Sequence, residues 1–398
     1  MKNKLFILGL ILSFGIVFTS CKEDDNDNNN GGNTGNTVVT ENILGNTTWT
    51  SDNVYELGGR ITVLDGATLT IEPGTVIKGQ AGTQANATAL LVARGGKIMA
   101  EGTVTHPIIF TSVADEITPE DIDAGNFVSP NLDPTIGGLW GGVIILGKAH
   151  ISAQNEDDQD VTEIQIEGIP TADPNGLYGG DQDDDNSGVF KYVSIRHGGT
   201  NIGAGNEING LTLGGVGSGT TIDNIEIVSN ADDGIEWFGG TVNVTNVVSW
   251  NVQDDGLDTD QAWAGSLTNF AIITPAVHCF ELDGPEGSYE TDGHHFLNGA
   301  VYPYDEVDGL MSEDLINVDD NSDVTLENIT FFGVAEGQQI NRVTAAEVEF
   351  ISIQIDVPVD SLANYVNGTV PAGVTAGNSA QADLTGFTWT WAHAAGKL

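Results

Sequence analysis

A repeat of 22 or 23 residues limits this chain to a small set of folds. The segment Ile227–Glu236 is matched by Ser249–Asp258, and both contain the sequence Asp-Asp-Gly. Asn224, Asn246 and Asn269 each precede an apolar, strand-like segment, at offsets of 22 (246 − 224) and 23 (269 − 246) residues. Self-similarity at such a period is typical of solenoids, in which every repeat forms one coil that stacks on the next.

Strand patterns fill these repeats. Alternating apolar and polar residues occur within 59–66, 67–74 and 75–79, separated by Asp-Gly and Pro-Gly turns, and no convincing amphipathic helix appears. Glycine, at 52 of 398 residues, indicates many tight turns. We therefore predict an all-β chain that forms a right-handed parallel β-helix with loop insertions. A leucine-rich repeat is the alternative, but its regularly spaced leucines are missing.

The repeat also predicts which side chains stack. Coils that pair as strands lie about 4.8 Å apart, so Asn224, Asn246 and Asn269 are expected to form a ladder of hydrogen-bonded amides. Ile225 and Ile227 are expected to face the core. This ladder is structural, and we assign it no function.

The composition divides the chain into four parts. We predict a lipoprotein signal peptide at 1–20, a flexible tether rich in Asn, Gly and Asp at 21–40, the β-helix at 41–356 and a C-terminal cap at 357–398. The β-helix is interrupted by stretches that we interpret as loops leaving the coil corners, at about 114–137, 155–186 and 285–320.

The N-terminus has the pattern of an export signal. Lys2 and Lys4 precede the uncharged apolar segment 5–18, which is shorter than the roughly 20 residues that span a bilayer. The segment ends in Phe-Thr-Ser-Cys, which resembles the lipobox of bacterial lipoproteins. This resemblance implies that Cys21 becomes the lipid-bearing first residue. An ordinary signal peptide with an incidental cysteine is the alternative.

The residues after the cysteine bear on the location. The sequence at 22–25, Lys-Glu-Asp-Asp, resembles the acidic export signal of surface lipoproteins in Bacteroidota. The resemblance implies a lipid anchor in the outer membrane with the protein facing the cell exterior. The alternative is a merely solvated start of the tether.

The charge excludes one class of partner. The chain has 12 Lys and Arg against 57 Asp and Glu, for a formal charge of −45. Nucleic-acid binding depends on cationic side chains that meet phosphates, so it is disfavoured. An acidic polysaccharide is equally disfavoured unless divalent cations intervene. Cys279, the second of two cysteines, has no intramolecular disulfide partner if Cys21 carries lipid.

The repeated Asp-Asp-Gly corners predict a calcium site. One coil apart, Asp232 is expected over Asp254, and Asp233 over Asp255. Carboxylates stacked about 5 Å apart repel each other unless one is protonated or a cation lies between them. Calcium, with 6–8 oxygen ligands in flexible geometry, suits such corners, and Asp258 is a further candidate ligand. The alternative is turn chemistry alone, since Asp before Gly is common at corners.

A catalytic interpretation also exists. β-helix glycoside hydrolases that act on pectin place aspartates and a histidine on adjacent coils, and Asp233, Asp254, Asp255 and His278 look similar. The flanking motifs differ, because the residues before Asp233 read Asn-Ala-Asp and His278 lies in Val-His-Cys. The cationic motif of those enzymes has no match, so a non-catalytic protein is favoured. No organic cofactor is expected.

Four aromatic residues lie close together in the repeats. Trp237, Phe238, Trp250 and Trp263 would form a stacking surface for sugar rings if exposed, and core or corner packing if buried. Trp250 shares the column of Val228, so at least one of the four is expected to face outward.

Three segments, 59–79, 140–149 and 192–199, together resemble β-helix (pectin-lyase-like) surface lipoproteins from Bacteroidota. The resemblance implies fold and location, and it brings no catalytic residues. Our leading hypothesis is a lipid-anchored, non-catalytic surface β-helix, stiffened by calcium, that binds a glycan or another surface component such as an outer-membrane protein. The alternative is a polysaccharide hydrolase or lyase that acts at the Asp-Asp-Gly corners.

Overall fold

The computed structural model describes residues 35–202, 208–319, 321–342, 347–379 and 382–398. The predicted signal peptide, Cys21 and most of the predicted tether lie outside these residues.

The first coil begins before residue 41, because Asn36–Val39 pairs in parallel with Val54–Leu57. None of the helices in the described ranges combines the length and apolarity needed to cross a membrane.

Parallel strands form two stacked sheets, which confirms the predicted right-handed parallel β-helix. The long sheet contains Asn36–Val39, Thr47–Trp49, Val54–Leu57, Thr68–Ile71, Val76–Gly79, Lys97–Glu101, Ile108–Ser112, Gly188–Arg196, Thr221–Val228, Val244–Trp250, Ser266–Ile273, His294–Tyr302, Asp323–Phe331, Glu347–Ile351, Ile353–Ile355 and Val374–Ala376. The short sheet contains Arg60–Val63, Ala89–Val92, Val143–Leu146, Leu211–Gly214, Ile235–Phe238, Leu257–Asp260, His278–Leu282 and Asp314–Val318.

Short hairpins and helices lie outside the two sheets. Antiparallel hairpins pair Ala153–Gln154 with Asp160–Val161, Ile164–Gln165 with Leu177–Tyr178, and Tyr304–Asp305 with Leu310–Met311. The α-helices are Pro119–Asp123 and Trp391–Ala394, and the 3₁₀ helices are Gln84–Asn86, Pro174–Gly176, Val359–Tyr365 and Leu384–Phe387.

The predicted insertions differ in what they contain. The insertion at 114–137 holds the first α-helix, and that at 155–186 holds one complete hairpin and one strand of another. The insertion predicted at 285–320 includes His294–Tyr302 and Asp314–Val318, which are strands of the two sheets. Their polar composition suggested a loop, but their apolar side chains pack into the core and the backbone pairs with the neighbouring coils.

The long strands bend at a column of asparagines. Asn224, Asn246 and Asn269 have left-handed φ angles of 57°, 58° and 63° within their strands. Asparagine tolerates this region better than other residues with a Cβ. The bend turns each strand around the core, so that Ile225 and Ile227 after the first asparagine face inward as predicted.

The predicted amide ladder is present in part. Asn269 donates from Nδ2 to Asn246 Oδ1 at 2.7 Å. Asn246 and Asn224 instead donate to the same acceptor, Asp223 Oδ1, at 2.7 and 2.8 Å. The predicted ladder is therefore wrong between Asn246 and Asn224, because the Asp223 carboxylate is a stronger acceptor than the Asn224 amide.

The region of the predicted cap, 357–398, has two parts. Val374–Ala376 pairs with Ile353–Ile355 and continues the long sheet. The final residues instead lie on the outer face of the long sheet, where Trp391 meets Trp250 edge-on at a centroid distance of 5.8 Å. Trp250 therefore points out of its coil, as predicted, yet it is only 1% exposed.

The asparagine bend generates a stability prediction. Asn246→Ala should lower the free energy of unfolding by about 2–3 kcal/mol, since it places a Cβ residue at positive φ and removes two hydrogen bonds. Asn246→Gly, which keeps the φ angle, should cost only about 1 kcal/mol. Urea unfolding measures both. Equal losses in the two variants would show that the left-handed bend is not the constraint.

Candidate functional site

Two columns of polar residues run along the short sheet, one residue from each of five successive coils. The corner column lies two residues before the strand in the first three coils and at its first residue in the last two, and it consists of Asn209, Asp233, Asp255, His278 and Asp314. The strand column lies three residues after the corner column and consists of Thr212, Glu236, Asp258, Glu281 and Asn317. The parallel register thus places the predicted Asp-Asp-Gly corners directly over one another.

Alternation along the strands explains why the second column faces away from the core. Ile235, Leu257 and Phe280 are fully buried in the hydrophobic interior. Successive side chains of a strand point to opposite faces. The strand column is therefore held on the outer face by the burial of its apolar neighbours.

The glycine of each corner is required by close stacking. A Cβ on Gly234 would lie 2.4 Å from the carbonyl oxygen of Gly256 and 2.4 Å from Ser249 Oγ. Any side chain here would push the coils apart. The repeated glycine therefore reflects the packing of one corner on the next.

The corner aspartates bind the backbone of the following coil. The amide of Asp255 donates to Asp233 Oδ1 at 2.9 Å, and the amide of His278 donates to Asp255 Oδ1 at 2.5 Å. The amide of Gln339 donates to Asp314 Oδ1 at 3.0 Å in the same way. The corner aspartates therefore do bond to the backbone, as the turn interpretation expects, but to amides of the next coil and not to those of their own turn. In Asp314 the second oxygen, Oδ2, also accepts a hydrogen bond, from Asn341 Nδ2.

The columns bring acidic side chains into three groups whose ligand atoms lie within 4.8 Å of one another. We call them the first group (Asp232, Asp233, Asp254), the second group (Asp233, Glu236, Asp258) and the third group (Asp255, His278, Glu281). Four of the five predicted calcium ligands fall in the first two groups. The fifth, Asp255, lies with His278 in the third.

Burial shifts the protonation of the second group. The pKa values of Asp233, Glu236 and Asp258 are raised well above those of ordinary carboxyl groups, first by burial and then by repulsion from neighbouring carboxylates. Asp260, at the end of the same strand as Asp258, has its pKa raised to about 8 by burial and then by Glu286. Burial and mutual repulsion therefore favour the protonated form of these carboxyl groups when no cation is present.

In the third group, the pKa values of the two carboxyl groups are shifted in opposite directions. Burial, and then Glu281, raises the pKa of Asp255 to about 10. The pKa of Glu281 is lowered, first by its hydrogen bond with Asp255. His278 Nδ1 lies 2.9 Å from Asp255 Oδ1 and 3.9 Å from Glu281 Oε2.

Glu281 was not predicted from the sequence. It follows Asp258 by 23 residues (281 − 258) and occupies the same column. The spacing was present, but the sequence around His278 lacks the Asp-Asp-Gly motif that marked the two preceding corners.

The catalytic candidates are only partly brought together. Asp233, Asp255 and His278 follow one another in the corner column, while Asp254 lies beside Asp232.

Arg196, a buried cation, belongs to the long sheet and not to these columns. It is 1% exposed, and its Nη2 lies 3.6 Å from Glu226 Oε2. The ring of Trp391 covers the guanidinium at 5.2 Å, and the amide of Ala392 donates to Glu226. The C-terminal residues therefore enclose this ion pair away from the corner column.

The aromatic residues of the repeats do not form a sugar-stacking surface. Trp237 and Trp263 stack on each other in the core at a centroid distance of 4.6 Å, and both are at most 1% exposed. Trp250 is covered by Trp391.

Comparison with known proteins identifies the family. Residues 39–300, more than half of the 398, match the family model described as a pectate-lyase like beta helix domain. No curated protein and no solved structure shows a significant match to the chain. The chain belongs to the family of pectate-lyase like β-helix domains.

Proposed function

We propose that this chain is a non-catalytic surface β-helix that binds calcium at its coil corners and binds a glycan or another surface component there. The stacked carboxylates of the first and second groups carry this proposal. The family is consistent with a carbohydrate-related or structural role.

Calcium is favoured by the donors. The first two groups offer only carboxylate oxygens, and Asp233 belongs to both. Calcium accepts 6–8 oxygen ligands at 2.3–2.6 Å without strict angles. A cation there would offset the repulsion between carboxylates that, after burial, raises the pKa values of Asp233 and Glu236. It would therefore stiffen the stack at these corners.

The same cation provides a route to a glycan. With three carboxylates as protein ligands, calcium has positions left for oxygen atoms of a bound molecule. Sugar hydroxyl or carboxylate oxygens fill such positions. This route requires no exposed tryptophan and is compatible with a formal charge of −45.

The location is proposed from the N-terminus. The lipobox-like sequence before Cys21 and the acidic residues at 22–25 support a lipid anchor in the outer membrane, with the β-helix facing the cell exterior.

A second candidate function is polysaccharide cleavage by a hydrolase or lyase. It is favoured by the third group, where the pKa of Asp255 is raised and that of Glu281 is lowered. Two carboxyl groups with opposite shifts are the arrangement that general acid–base catalysis uses. This candidate stays second because the cationic motif of the β-helix hydrolases has no match in the sequence.

The raised pKa values of the buried carboxyl groups predict that the stability of the chain falls as the pH rises. In EDTA, the melting temperature should fall from about pH 7 to about pH 9, because carboxyl groups with raised native pKa values lose stabilisation as the pH rises through those values. Asp260, with a pKa of about 8, and Asp255, with one of about 10, ionise in or just above this range. Calcium should reverse the fall, with about 2.7 kcal/mol at a hundredfold excess over Kd. Scanning fluorimetry measures both effects.

The control for this experiment is Asp157→Asn, since Asp157 is exposed in a hairpin turn. It should respond to calcium as the parent does, whereas Asp233→Asn should lose most of the response. Identical melting curves in calcium and EDTA would contradict the calcium site.

Glycan binding and cleavage are separated by one paired screen. The chain without residues 1–33 is applied to a glycan array with calcium or EDTA, and the same glycans are assayed for released reducing ends. We expect calcium-dependent binding that Asp233→Asn weakens at least tenfold, with no cleavage. Cleavage that Asp255→Asn abolishes while the melting temperature is retained would favour the second candidate.

The anchor is tested in cells of the source organism. Metabolic labelling with an alkyne fatty acid should mark the parent chain, and Cys21→Ser should abolish the label. Protease added to intact cells should degrade the anchored chain. Label that persists in Cys21→Ser would contradict the lipid anchor.

A further inference from the structure

The third group differs chemically from the other two, because a histidine occupies a position of the corner column where the two preceding coils have aspartate. His278 occupies the position in its coil that Asp255 occupies in the preceding one. Glu281 extends the column of Asp258 beside it. A nitrogen and two carboxylates therefore meet on two adjacent coils.

The His278 nitrogen is close to a carboxylate without bonding to it. Nδ1 lies 2.9 Å from Asp255 Oδ1, but the approach lacks hydrogen-bond alignment. Within the described part of the chain, this buried atom has no hydrogen-bond partner. Buried polar atoms rarely lack a hydrogen-bond partner, so this nitrogen is a candidate ligand for a bound ion.

The spacing fits a small metal ion. Ligands about 2.0–2.2 Å from a tetrahedral zinc ion lie about 3.3–3.5 Å from one another. The distances from Nδ1 to the two carboxylate oxygens, 2.9 and 3.9 Å, lie on either side of that range. All three ligand atoms lie within 4.8 Å of one another.

The surrounding residues hold the three ligands in place. The His278 amide donates to Asp255 Oδ1, and its carbonyl accepts from the amide of Gly256 at 2.9 Å. Asn317 Nδ2 donates to Glu281 Oε1 at 3.0 Å, which leaves Oε2 as the oxygen nearer the imidazole. Such outer contacts orient the ligands of metal sites.

We infer that Asp255, His278 and Glu281 form a separate site for a divalent transition metal of the zinc class. Imidazole suits zinc and its neighbours, whereas calcium prefers oxygen ligands alone. The side chains of His278 and Glu281 are 17% and 30% exposed, so a further coordination position faces solvent. Three protein ligands with one open position are typical of zinc sites that hold a water or a ligand oxygen.

This site does not depend on the proposed calcium site. The first and second groups share Asp233, but neither shares a residue with the third. The two proposals can therefore fail separately.

The test is zinc binding by the full chain, freed of affinity tags, in saturating calcium. Calorimetric titration should show one zinc per chain with a Kd in or below the micromolar range. His278→Gln should weaken binding at least a hundredfold, and Asn317→Ala, which removes only the orienting contact, about ten- to a hundredfold. Cobalt bound in place of zinc should show the visible absorption of a four-coordinate ion, lost in His278→Gln.

His150 provides a matched control. Its Nδ1 also lies 2.9 Å from an aspartate oxygen, Asp183 Oδ1, but there the contact is a hydrogen bond and no third ligand joins the pair in the described structure. His150→Gln should leave zinc binding unchanged. The calcium response of His278→Gln, followed by melting temperature, shows whether that variant is folded and whether the calcium site persists.

Three results would overturn the inference. They are the absence of zinc binding by the parent chain, full zinc binding by folded His278→Gln, and equal losses in His150→Gln and His278→Gln. If His278→Gln does not fold, Asn317→Ala decides, and unchanged zinc affinity in that variant would overturn the inference.

Discussion

Backbone hydrogen bonding between successive coils is the constraint on which the rest of this structure depends. Parallel pairing in register forces equivalent residues of neighbouring repeats to lie one above the other, at about 4.8 Å. Each sequence column therefore becomes a physical column. Apolar columns form the continuous core, asparagines at left-handed bends bond from coil to coil, and carboxylates are brought together against their mutual repulsion.

That repulsion is what gives the corners a chemical character. A single exposed Asp-Gly turn would have ordinary carboxylates, but here burial and neighbouring charges raise the pKa values of Asp233, Glu236 and Asp258. The corner carboxylates also have a structural role, since Asp233 and Asp255 accept hydrogen bonds from backbone amides of the following coil. The same aspartates therefore join the coils and form the acidic groups at which we propose cation binding.

The departures from the repeat carry as much information as the repeat. His278 replaces aspartate in the corner column, and with Glu281 it changes the donor set from oxygen alone to nitrogen and oxygen. The outer face of the long sheet departs in another way. There the C-terminal residues cover Trp250 and the Arg196–Glu226 pair, so neither is available to a ligand in this conformation.

The sequence by itself determined the fold, because a 22-residue period of strands and tight turns has few packed solutions, and it also determined the stacking of the two Asp-Asp-Gly corners. It did not reveal that Asn246 bonds to Asp223, that Trp250 is covered, or that Glu281 joins His278 and Asp255. These contacts join residues on different coils or distant segments. Their partners depend on side-chain direction and on where inserted segments return to the register, which only the tertiary structure decided.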